Sequence, residues 1–453
     1  MKRRSSQTEP TSGIPLLPAI VIGAGMLLML VLGVLLTSLH GKSFAGERLE
    51  GTGPAKQVTF AEHIAPLIYA QCASCHRPGE TAPFELLTYA DVRRHAKDIA
   101  DVTARRAMPP WKAEHGFGDF LGERRLTDEQ IAMLREWVHQ GCPQGDPQLA
   151  PPTPTFAQGW RLGEPDLVVR MGEPYAIPAE GRDIYRCFVI PLKVPAAKYI
   201  KAVEYRPGNR KIVHHAVITM LSHDKAMQKL AVGDGKSFSS GLNAPGKRLP
   251  GPMGIWTPGL EPQSLPEELA SAWPNGTDLV LQLHLHPSGR PELEQSLIGL
   301  HFTDRQPLAQ FQSMVLLDKV DIPAGDAKYV SEKSLVVQNP VDAYGIFPHM
   351  HLLGRTVKVT ATLPDGQTIV PLLSINDWDF NWQNFYQYST PVRLPAGTRI
   401  DARWTFDNSS DNPANPSNPP KRVVFGEQTT NEMAALVIDV IPATPGLRHV
   451  STR

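Results

Sequence analysis

Apolar positions change rhythm several times along the chain. From Ile14 to Leu39 they are nearly continuous, and no Asp, Glu, Lys or Arg occurs between Glu9 and Lys42. That run exceeds the roughly 20 residues a bilayer-crossing helix needs. Helical spacing follows from Phe60 to Gln71, with Ile64, Leu67 and Ile68 on one face, and again over about Tyr89 to Arg106. Thr127-Asp128-Glu129-Gln130 reads as a capping box opening a helix whose Ile131, Leu134, Trp137 and Val138 form one stripe. Beyond Trp160 the pattern shortens to apolar runs of strand length between Pro, Gly, Asn and Asp clusters. These runs are Asp166–Met171, Arg186–Pro191, Tyr199–Tyr205, Ile212–Met220, Leu279–His284, Ser313–Leu317, Thr356–Thr362, Arg399–Trp404 and Ala434–Val440. Their spacing predicts β-sandwiches, and almost 300 residues suit two in tandem, divided near residues 303–315.

Composition narrows this picture. In 453 residues, 45 Lys plus Arg balance 45 Asp plus Glu, so the basic excess that attracts nucleic acid is missing. Proline, at 43 residues, favours turns and short strands over long bundles. Lys2, Arg3 and Arg4 precede the first apolar run, which orients it with its amino end in the cytoplasm and sends the rest across. The other reading of that segment is a signal peptide cleaved after Ser43-Phe44-Ala45; its length favours an anchor. Pro143 to Gly159, rich in Pro and Gln, reads as a semi-extended connector.

Cys72-Ala73-Ser74-Cys75-His76 is the C-x-x-C-H pattern, in which two thiols bond the vinyl groups of a haem and the His becomes an axial ligand. A redox dithiol would need a βαβ context, and a zinc site a second C-x-x-C; neither is present. Met108-Pro109-Pro110 offers a thioether for the sixth position, with a core methionine as the alternative and His115 as the next candidate ligand. Helix, C-x-x-C-H, Met-Pro-Pro and terminal helix, in this order, resemble the class I cytochrome c family over about 90 residues. The resemblance implies an all-α domain at 57–145 that binds one covalent haem c through Cys72, Cys75, His76 and Met108 and carries one electron.

Histidines cluster in the second half: His214-His215, His284 with His286, and His349 with His351. Residues at i and i+2 share a strand face, so each H-x-H can present two imidazoles to one ion, whereas adjacent His214 and His215 need a bulge or strand end to converge. Imidazole suits Zn, Cu, Fe and Ni, and a thioether favours Cu(I). No H-E-x-x-H or neighbouring catalytic Glu supports a zinc hydrolase, and Cys142 and Cys187 lie beside no His cluster, which removes a blue-copper site.

From about Asp166 onward the chain resembles the copper type II, ascorbate-dependent monooxygenases, which include the peptidylglycine α-hydroxylating and dopamine β-monooxygenases. His214-His215 matches the family's His-His pair, and Leu281-Gln282-Leu283-His284 its L-Q-x-H segment. His349 to Arg355 matches H-x-H-L-x-G-R, and Thr429 to Met433 matches T-x-x-E-M. The resemblance implies one copper on His214, His215 and His284, and a second on His349, His351 and Met433, where O2 is activated. It implies two separate cages, with His286 outside them.

Departures are specific. The clamp for a substrate carboxylate in the peptide-amidating branch falls on Phe347 and Val437, which argues against a glycine-extended peptide, and the Cys after the family's Met is Ala434. Cys187 resembles a family disulfide position and would pair with Cys142; the alternative is two unpaired thiols.

The expected organisation is a cytoplasmic tail (1–12), a transmembrane anchor (13–40), the cytochrome c domain (57–145), a linker (146–163) and two jelly-roll-like copper domains (164–308 and 309–453). The expected activity is C–H hydroxylation with O2 on an unidentified organic substrate, in the periplasm and tethered to a bacterial inner membrane. The haem would relay electrons from a quinol-linked or soluble cytochrome donor, or an ascorbate-like reductant. A carrier without catalysis and an O2-reducing oxidase are the rival readings.

Overall fold

A computed structural model describes residues 57–443, except 81, 157–158, 193–197, 240–245 and 267. The expected tail, anchor and cleavage site lie outside the described residues; among the described residues no helix is long and apolar enough to cross a membrane. From Val58 onward the chain packs as one unit.

The helical part comes first. Phe60–Ile64 is a π turn that runs into the α-helix Ala65–Gln71. Pro66 stands at the start of that helix, where its missing N–H and its ring are tolerated. The single helix expected over Tyr89 to Arg106 is two, Tyr89–Arg94 and Ala96–Ala104. They break at His95, which leaves helical geometry (φ −105, ψ 12) and stacks its ring 3.9 Å from that of Phe84. The third segment behaves as its pattern predicts. Thr127 and Gln130 cap the helix Asp128–His139 reciprocally, and Ile131, Leu134 and Trp137 pack against Phe60, Ile64 and Ile68.

All nine apolar runs lie in strands, and the chain is mostly β-sheet. In the first half, one sheet orders Leu167–Arg170, Leu297–Thr303, Lys198–Arg206 and Ser271–Trp273. The facing sheet runs Ser237–Phe238, Ile184–Ile190, Thr277–Leu285, Val213–Ser222 and Lys247–Arg248, with Ile255–Trp256 also on Val213–Ser222. Val203 and Leu300 from one sheet share a core with Ile218, Leu281 and Leu283 from the other. In the second half the sheets are Gln312–Asp318, Ala434–Pro442, Val341–His349 and Tyr386–Leu394, and Tyr329–Val336, Arg399–Phe406, Gly354–Thr362 and Ile369–Ile375. Ile346, Leu436, Val359 and Trp404 fill the layer between them. The change of sheets falls between Thr303 and Gln312.

The two halves interlock. Tyr344, Phe385 and Ile441 enter the first core, and Arg248 pairs with the buried Asp439, which also accepts from Gly251 N at 2.5 Å. The helical part is woven in as well. Glu114 N donates to Ser374 O (2.8 Å), Leu121 N to Gln387 O (2.9 Å), and Ser389 N to Asp119 O (2.9 Å). Phe120 packs on Tyr386 and Tyr388. Gly118 makes this docking feasible: its φ is +93, and a Cβ there would lie 2.9 Å from Leu372 O.

Cys142 and Cys187 belong to different cores. Cys187 is fully buried with Val189, Ala226, Phe238 and Val280, whereas Cys142 packs at the end of the helical core.

Candidate metal centre

The first histidine set is built by a register defect. Thr277–Leu285 pairs with Val213–Ser222 so that His284 faces His215 and Leu285 faces Val213, which leaves His214 as the extra residue of a β-bulge. The bulge supplies what an adjacent pair needs in order to converge. His215 Nδ1 lies 3.2 Å from His214 Nδ1 and 3.4 Å from His284 Nδ1. Ligand atoms of the three residues all fall within 4.8 Å of one another, a spacing that one metal ion could bridge. His284 Nε2 donates to Asp183 Oδ2 at 2.9 Å; since a carboxylate only accepts, the His284 Nδ1 lone pair is left facing His215. Tyr185 stacks on His284 at 4.2 Å. His286 is exposed and donates to Asp183 Oδ1 at 2.7 Å, outside the cluster. His214 Nε2 is buried without a hydrogen-bond partner.

The second set forms where the Val341–His349 strand ends. His349 Nδ1 donates to Gln383 Oε1 (2.6 Å), and His351 Nδ1 to Asn431 O (3.1 Å). Each ring then keeps its lone pair on Nε2, and the two Nε2 atoms face each other at 3.2 Å. Two lone pairs at that distance share no proton, and a cation between them removes the repulsion. Met433 is 2% exposed and immediately precedes the Ala434–Pro442 strand, whose Ala435 pairs with His349. Both backbones are pinned by the fully buried Glu432, whose carboxyl group accepts from His351 N, Leu353 N and Met433 N, each at 2.8 Å. Burial pushes the Glu432 carboxyl up to about 7 despite these bonds.

The two sets are neighbours. The rings of His215 and His349 lie 6.2 Å apart, edge to face. Phe380 forms a shared wall, stacked on His214 at 4.6 Å and 5.8 Å from His351. Thr429 Oγ1 donates to Asp183, joining the segment that holds Met433 to the first set.

Burial is the main cause that lowers all five imidazoles, assisted by neighbouring rings for most of them. His214 falls to about 3, His349 to about 4 and His351 to about 3, with His215 and His284 lowered too. All are neutral at pH 7, the state in which imidazole binds a metal. The unfolded chain takes up these protons near its ordinary value of 6.5, before the folded one does. The metal-free protein should thus lose stability as pH falls from about 6.5 toward 4. A melting temperature that stays flat over that window, or rises, would contradict the burial described.

The C-x-x-C-H motif caps the helix Ala65–Gln71, and His76 N donates to Cys72 O at 2.9 Å. His76 Nδ1 donates to Phe84 O (3.1 Å), which leaves the ring's lone pair on Nε2. Burial, then Cys75, pushes the Cys72 thiol up to about 12. Cys75 faces Gly259 of the first β half, where a Cβ would stand 3.7 Å from its sulfur. Met108 is half-buried and lines a cavity of about 260 Å³ with Thr103, Arg106, Trp111 and Ile131. His115, the other candidate for the sixth position, is exposed and bonded to Glu123.

Phe347 and Val437 are cross-strand partners, and the Phe347 ring stacks parallel to that of His349 at 6.3 Å. The two positions therefore form one apolar patch beside the second set. Asp183, Gln383, Phe380 and Glu432 were not singled out from the sequence. Only Glu432 carries a signal there, standing beside Met433.

No family model matches this sequence, and no curated protein matches it. Among solved structures, the chain is similar at 9% identity to the major capsid protein P2 from Bacteriophage PM2, over 61% of this chain and 97% of that one, with a TM-score of 0.26. It is similar at 9% identity to the infectious bursal disease virus VP2 subviral particle, over 61% of this chain and 78% of that one, with a TM-score of 0.17. Likenesses this slight carry no argument about what the chain does.

Proposed function

We propose that the chain is a copper-dependent monooxygenase that hydroxylates a C–H bond with O2 and receives electrons through its own c-type haem. The carrying observation is the gathering of His214, His215 and His284 ligand atoms within 4.8 Å of one another, beside His349 and His351, whose Nε2 atoms face each other at 3.2 Å. In this reading 57–145 is a class I cytochrome c domain, 164–308 and 309–453 are jelly-roll-like copper domains, and 13–40 anchors them on the periplasmic face of a bacterial inner membrane.

His214, His215 and His284 would hold one copper, His349, His351 and Met433 the other, and Cys72, Cys75, His76 and Met108 the haem. Bound there, copper supplies O2 activation and one-electron storage, and haem c supplies electrons singly. Inserting one oxygen atom and reducing the other to water consumes two electrons and two protons beyond the C–H bond. The protein's part is to fix donors: Asp183, Gln383 and the Asn431 carbonyl each hold an imidazole N–H and thereby orient the opposite nitrogen. Phe380 walls the site, and the Phe347–Val437 patch suits a substrate without a carboxylate at that position.

Metal analysis of the purified protein should find two copper and one iron per chain. Incubation with isotopically labelled O2 and a reductant should then place label in an organic product. Label confined to water would make the protein an oxidase, and absence of turnover a carrier; either result overturns hydroxylation.

A further inference from the structure

We infer that Asp183 is a positioning residue that clamps the first histidine set to the segment bearing Met433, so that the two metal sites are assembled together. The inference rests on the copper reading above. Asp183 stands just before the Ile184–Ile190 strand, and its side chain is only 8% exposed. One oxygen receives His284 Nε2 at 2.9 Å and also the Thr429 hydroxyl; the other receives His286 Nδ1 at 2.7 Å. Thr429 lies four residues before Met433, in the stretch whose Asn431 carbonyl holds His351 and whose Glu432 carboxyl group holds the His351 and Met433 backbones. Tyr185 reinforces the clamp by stacking on His284 at 4.2 Å.

Two consequences follow from these bonds. A carboxylate oxygen at Nε2 fixes His284 as the tautomer that offers Nδ1 to the cluster, and makes that nitrogen a stronger donor. The same oxygen ties a strand entry of the first half to the Met433 segment of the second, 246 residues apart in sequence. Removing the carboxylate loosens both sets, whereas removing the Thr429 hydroxyl loosens only the second.

The test uses the full chain with its haem, loaded with copper(II) sulfate, as wild type, Asp183→Asn and Thr429→Val. Copper is counted, Cu(II) is examined by electron paramagnetic resonance, and the reduced protein by X-ray absorption for copper–sulfur scattering. Asp183→Asn should change the nitrogen hyperfine pattern of the first set, weaken its copper binding about 10–100-fold and diminish the copper–sulfur signal. Thr429→Val should keep the first-set spectrum and diminish only the copper–sulfur signal. Wild-type spectra in Asp183→Asn overturn the clamp and leave the copper reading intact. If Asp183→Asn does not fold, an unchanged copper–sulfur signal in Thr429→Val overturns it. A wild type that binds no copper removes the functional reading and the clamp together.

Discussion

If the chain is the proposed copper monooxygenase, replacement of Met433 by isoleucine should abolish incorporation of labelled oxygen into product, while haem content and the copper of the His214, His215 and His284 set should stay unchanged. In the proposed site Met433 brings the one soft donor to a set otherwise made of imidazoles, and a thioether stabilises Cu(I). The side chain is 2% exposed, so the exchange must respect volume; swaps of this kind usually cost less than about 1.5 kcal/mol. A melting temperature near that of wild type would show that the loss is chemical. Retained oxygenation would remove Met433 from the site.

Glu432→Ala has the largest effect on stability. Its carboxyl group is fully buried and accepts three backbone N–H groups, from His351, Leu353 and Met433. Each donor left without a partner costs about 1–3 kcal/mol, so a loss on the order of 3 kcal/mol or more is expected in chemical denaturation. Glu432→Gln should be intermediate, since its carbonyl oxygen can still accept while its amide NH2 meets donors. The alanine variant should also lose copper from the His349 and His351 set, because the segment that aligns both backbones is released. Wild-type stability in the alanine variant would mean that other acceptors replace the carboxyl group.

Much of this was legible in the sequence because it depends on local periodicity or fixed spacing. The capping box at Thr127 and Gln130 is a four-residue event, and Ile212–Met220 and Leu279–His284 are apolar enough to read as strands alone. The bulge that joins His214 to His215 was foreseeable too, because two neighbours on a flat strand diverge. What escaped depends on partners distant in the chain. Tyr329–Val336 and Tyr386–Leu394 carry exposed or half-buried polar residues along much of their length and lack the apolar runs of their neighbours. The helix His223–Val232 buries only Ala226 and leaves a weak pattern. Asp183 and Gln383 look like ordinary surface residues until folding sets them beside His284 and His349. The contact between the two histidine sets is likewise a property of how the halves pack, which no motif encodes.

The stretch from Glu114 to Leu121, threaded onto the second β half, limits how the haem-motif region can work. A carrier on a loose leash loads and unloads by wandering between collision partners. Here the leash is stitched down on both sides of Phe120, so in the proposed relay electrons passing from Cys75 and His76 toward the histidines would cross a fixed gap. Its pace would be set by that separation, and lengthening the Pro143 to Gly159 connector should leave it unaltered.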